Sequence, residues 1–71
     1  MKYTDEQIKE AIISFILRSS RPLRYMVFTV NNNLMKERSI ELGYIMETID
    51  RTTTYCKFTD FGIETFEFLE I

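Results

Sequence analysis

The 71-residue chain has no histidine, one cysteine, one proline and two glycines. Without histidine it lacks the side chain most used for proton transfer near neutral pH. It also lacks a glycine-rich phosphate loop, so no catalytic residue and no enzymatic role are expected. One cysteine forms neither a disulfide framework nor a thiolate metal cluster. Cys56 stands in a strand-like run and reads as a small core hydrophobe. A reactive thiol beside Lys57 is the alternative, although adjacent strand residues point to opposite faces. Acidic residues are scattered, so no metal and no cofactor are expected. Long apolar runs are missing as well. The longest, residues 11–17, is broken by Ser14 and falls well short of the roughly 20 residues that span a bilayer. The first residues lack the basic-then-apolar order of a signal peptide. The expectation is an intracellular, cytoplasmic protein with no membrane partner.

What is present points to one domain over residues 1–71. The chain is 45% hydrophobic, with six Phe and four Tyr. That is enough for a core and too much for a disordered chain. A chain this short buries a modest share of its surface, so its stability as a monomer should be marginal, and part of the apolar surface could be covered in a homodimer. The net charge is −2, an unpromising value for a nucleic-acid binder, but the charge is polarised. Residues 11–42 carry a balance of +3 and residues 60–71 a balance of −4. Such polarity suits a protein that shows one face to phosphates and the other to solvent or a partner.

The pattern predicts an order of elements. Thr4 and Gln7 form a capping box, Asp5 and Glu6 favour the positive end of a helix dipole, and Ile8, Ala11, Ile12, Phe15 and Ile16 recur at helical spacing. Residues 22–30 are read as a short second helix opened by Pro22, with Leu23, Met26, Val27 and Val30 on one face. The same stretch is rich in strand formers, and the alternative is a strand over 25–30 in an α+β fold with a three-stranded sheet. Three consecutive Asn residues, 31–33, give a turn. A helix over about 33–42 follows, stopped by Gly43. Residues 44–49 and 52–58 are two strands joined at Asp50-Arg51, by a loop that could be a residue or two wider since it has no glycine. Thr59 or Asp60 caps a last helix with Ile63, Phe66 and Leu69 on one side.

The order helix, helix, helix, strand, strand, helix, together with Leu42-Gly43-Tyr44-Ile45 and a Tyr55, Phe58-Thr59, Gly62 run, resembles the winged helix-turn-helix regulators of bacteria, archaea and their viruses. The match departs in spacing between Tyr55 and Phe58, in Phe58 where Leu is usual, and in Ser39 at a position usually apolar. The resemblance implies an α+β winged helix-turn-helix fold: three helices, a two-stranded β-hairpin wing and a C-terminal helix. It implies a small transcription regulator that binds double-stranded DNA, with the helix at about 33–42 in the major groove and the hairpin wing, 44–58, on the backbone. The size fits a viral or mobile-element protein.

Carried onto this chain, the DNA-binding residues would be Arg21 and Arg24 before or within the second helix, Asn32, Asn33, Lys36 and Arg38 on the recognition helix, and Arg51, Thr52 and Thr53 on the wing. Asn can read adenine, Arg and Lys guanine or phosphate, and Thr hydroxyls phosphate. Plain readings stand beside these: the Asn run as a turn, Arg38 as a surface charge paired with Glu37 or Glu41, the Thr run as strand material. Glu37 and Glu41 would repel phosphate from the same helix. Phe61, Phe66, Phe68 and Leu69 cover more than one side of the last helix and would form the dimer interface, or else close the core. The rival function is a protein-interaction module on the same scaffold, an accessory or inhibitory protein acting on a host or regulatory protein. The tripeptide Asp60-Phe61-Gly62, known from kinases, is a chance match, since no nucleotide-binding lobe would fit.

Overall fold

The computed structural model describes residues 2–70, which fold as an α+β unit. Helix α1 spans Asp5–Leu17, strand β1 Val27–Phe28, helix α2 Asn33–Glu41, strand β2 Ile45–Asp50, strand β3 Thr53–Phe58 and helix α3 Asp60–Phe66. Single 3₁₀ turns lie at Leu23–Tyr25 and Glu67–Leu69. The three strands form one antiparallel sheet in the order β1-β3-β2.

Helix α1 starts where its capping box places it. The Gln7 amide donates to Thr4 Oγ1 at 3.1 Å, and the Thr4 amide donates to Gln7 Oε1 at 2.9 Å. Ile8, Ile12 and Ile16 are the buried stripe, one per turn. They meet Leu23, Met26, Tyr44, Ile45, Cys56, Phe58 and Phe66 in one continuous core. Along the strands, Phe28, Ile45, Cys56 and Phe58 face this core in the alternation a pleated sheet imposes. Phe28 sits between Phe15 and Phe58, with ring centroids 5.0 and 5.2 Å away.

Residues 22–30 correct the expected second helix. After Pro22 a single 3₁₀ turn forms, Met26 is extended, and Val27 and Phe28 pair with Lys57 and Cys56. The three-stranded alternative is therefore the observed one, and three α-helices stand where four were expected, so the described residues contain no helix-turn-helix. The physical reason is the free edge of β3. A run of β-branched and aromatic residues satisfies its own backbone groups by pairing there. As a strand it also holds half-buried Phe28 between the rings of Phe15 and Phe58.

The hairpin loop is two residues, Arg51-Thr52, one position later than the sequence implied, with Asp50 opposite Thr53. Arg51 has φ +61° and no other non-glycine residue among those described has positive φ. Positive φ at the first loop residue only is the pattern of a type II′ turn, where glycine is usual.

The motif that carries the resemblance has a structural job. Thr59 caps α3, its Oγ1 accepting from the Gly62 amide at 2.9 Å while its hydroxyl donates to the Gly43 carbonyl. The Thr59 amide donates to the Tyr44 carbonyl at 3.1 Å. A Cβ on Gly62 would lie 2.0 Å from that same carbonyl oxygen. Only glycine lets α3 approach the chain at Tyr44 this closely. Gly43 itself has φ +86° at the end of α2, the left-handed position where helices commonly stop on glycine.

Candidate interaction surfaces

The predicted recognition helix is α2, and most of its polar side chains bond within the fold. Asn32 is the N-cap, its Oδ1 accepting from the Met35 amide at 3.1 Å, and its Nδ2 donates to the Tyr3 hydroxyl at 2.9 Å. Lys36 Nζ bonds Glu47 on β2 at 2.9 Å, and that bond raises the Lys36 pKa above its ordinary value. Arg38 Nε donates to the Tyr3 carbonyl at 2.8 Å, and its guanidinium pairs with Glu41, which also holds Lys2 at 3.0 Å. Ser39 is buried and its hydroxyl donates to the Met35 carbonyl at 2.7 Å. The residues α2 shows to solvent are Asn33, Leu34, Glu37, Ile40 and Glu41. Phe61, also exposed, stacks on Tyr44 with centroids 5.6 Å apart and lies beside Gly43 at the end of α2.

Of the other predicted cations, Arg21 and Arg24 lie in clefts that no α2 residue lines. Arg21 borders a cleft with Leu69 and Glu70. Arg24 borders an open groove with Lys57, Glu64 and Glu67. Arg51, Thr52 and Thr53 are exposed at the hairpin tip. Arg18 borders an apolar cleft of about 300 Å³ between α1 and α2, with Phe15, Phe28 and Met35 among its walls.

The predicted dimer set divides. Phe66 is 1% exposed and belongs to the core, with its ring 5.2 Å from that of Tyr44. Leu69 packs against the core as well. Phe66 is therefore not available to a partner, which corrects its place in that set: helical spacing alone did not show that Tyr44 and Phe58 would cover it, while Leu69 is half-buried. Phe61 and Phe68 remain exposed.

Asp5, Tyr44 and Cys56, like Lys36, have shifted equilibria with a structural cause. Burial, with the hydrogen bond it donates to Asp5 Oδ1 at 2.6 Å, pushes the Tyr44 hydroxyl up to about 12. The same bond, assisted by the Lys9 charge, holds the Asp5 carboxyl below its ordinary value. Burial pushes the Cys56 thiol up, so the residue stays protonated and unreactive at neutral pH. Among the described residues no group of His, Cys, Asp and Glu could hold a metal ion, and no helix is long and apolar enough to cross a membrane.

Sequence reasoning missed the apolar part of these surfaces. Leu34, Met35, Ile40 and Leu42 do not share one helical stripe, so some of them had to face solvent. No family model, no curated protein and no solved structure matches the chain.

Proposed function

We propose that the chain is a small protein-interaction module on this α+β scaffold, docking through the solvent face of α2 together with Phe61. The observation that supports this reading is the state of the α2 cations. Lys36 and Arg38 are bonded to Glu47, Glu41 and a backbone carbonyl, and the face left to solvent offers Leu34 and Ile40 beside Glu37. A helix laid in a major groove needs cations and amides aimed at phosphates and base edges. Exposed Leu34 in the first turn of α2, and Ile40 and Phe61 towards its other end, fit apolar anchor points for another protein.

A transcription regulator bound to double-stranded DNA is the second reading. It is favoured by Arg51 at the hairpin tip and by Asn33 at the start of α2, both exposed.

One titration separates them. Mixed-sequence duplex DNA is added at two salt concentrations, and no binding is expected even at low salt. Binding with a log–log salt slope of about −4, weakened by Lys36→Ala and Arg51→Gly, would overturn the protein-interaction reading. Glycine is chosen at position 51 because Ala would keep the backbone strain at φ +61°. For the positive arm, a benzophenone amino acid at Leu34 should crosslink to protein in the producing cells. Ile40→Asp should remove the adduct, and the same group at exposed Glu10 should not give it.

A further inference from the structure

The sheet has a second face, and that face carries a surface α2 does not share. The register places Val27, Lys57 and Met46 side by side across all three strands. They point away from the core, since their strand neighbours Phe28, Cys56, Phe58 and Ile45 point into it. Val27, on the edge strand β1, is 56% and Met46, on the edge strand β2, 41% exposed, with Lys57 of the central strand between them. Beside this row runs an open groove of about 880 Å³. Its sheet side carries Arg24, Lys57 and Met46, and its α3 side carries Asp60, Ile63, Glu64 and Glu67. Two cations thus face three acids across one groove, yet none of the four ion pairs among the described residues involves any of them.

We infer that this groove is a self-complementary surface on which a second copy of the chain docks about a two-fold axis. In an isologous interface each feature of one copy must meet its complement on the other. Here the sheet side of one copy, with Arg24 and Lys57, lies against the α3 side of its partner, with Glu64 and Glu67, and the reverse contact follows by symmetry. Val27, Met46 and Ile63 supply the apolar contacts, with Lys57 between the first two, and the charges fix the orientation. A partner of one charge would leave half of these groups unmatched. The chain itself carries the matching set. The interface stands apart from the α2 face, so it does not depend on the function proposed for that helix.

The test is sedimentation equilibrium of the full chain from micromolar to millimolar concentration, with circular dichroism to check folding. The wild type should show a monomer–dimer equilibrium that weakens as salt rises. Lys57→Glu and Glu64→Lys should each weaken the dimer at least about tenfold, because each change creates two repulsive pairs. Mixing the two variants should restore a heterodimer, since both contacts are then of opposite sign, and the double variant should restore the homodimer. Met46→Glu, which puts a carboxylate among the apolar contacts, should leave a monomer in every mixture. A wild type that stays monomeric throughout, a dimer indifferent to the two charge reversals, or a failure of the mixture to recover association would each overturn the proposal.

Discussion

At the base of the β2–β3 hairpin, Gly43, Tyr44, Thr59 and Gly62 are tied to one another by three hydrogen bonds and a backbone contact that admits no side chain. At its tip, Asp50 to Thr53 are exposed and the turn carries a strained arginine. The same two strands connect the two regions, yet one is over-determined and the other nearly free to vary. The difference shows that a recognisable motif in a short chain can be a device for joining elements. Thr59 and Gly62 dock α3 onto the end of α2, and nothing in that job requires a ligand.

Breaking the base should have the largest effect. Gly62→Ala puts a methyl group into the Tyr44 carbonyl and should cost about 3 kcal/mol. In a domain of this size that approaches the whole folding stability, so thermal melting should show a largely unfolded variant. Thr59→Ala removes the α3 cap and the bond to Gly43, and should cost about 1–2 kcal/mol, read as a lower denaturant midpoint at unchanged slope.

The Tyr44–Asp5 bond sharpens the comparison through pH. The Tyr44 hydroxyl titrates near 12 when folded and near 10 when unfolded. The fold therefore favours the protonated form, and this contribution is complete below pH 10 and lost as pH rises through 12. Lys36, also raised by its bond to Glu47, adds to the alkaline loss. Asp5 is lowered, so its contribution is present above about pH 4 and lost as pH falls through its folded value. Tyr44→Phe should flatten the alkaline limb of the stability–pH curve, leaving the Lys36 share, which Glu47→Gln removes. It should also reduce the acid dependence due to Asp5.

The smallest effect is expected at the tip. Arg51→Gly relieves the positive-φ strain while freeing the unfolded chain, so stability should stay level or rise by up to about 1 kcal/mol. A loss of more than 1 kcal/mol would mean that the tip is fixed by contacts after all, and the contrast with the base would fail.

Much of the scaffold was legible in the sequence because its signals are local. The Thr4–Gln7 capping box, the isoleucines of α1, Gly43 at the end of α2 and the Thr59 cap each act over three or four residues. Residues 22–30 were not legible in the same way. Their helical and extended readings were close in local preference, and the free edge of β3, some thirty residues away, decided between them. The proposed site residues show the same division. Asn32 as a capping residue is local and was foreseeable. That Lys36 would reach Glu47 on β2, that Arg38 would hold the Tyr3 carbonyl, and that Phe66 would vanish under Tyr44 and Phe58 are contacts between elements, which spacing along one element does not reveal.

By itself, the sequence determined a small α+β fold with no histidine, no thiol cluster and no long apolar run, because composition and short-range pattern bound those properties directly. Tertiary structure alone decided which charges are free and which apolar residues are exposed. Both depend on pairing across elements: an ion pair removes a cation from the surface, and a sheet hides one ring of a helix while leaving the next in water.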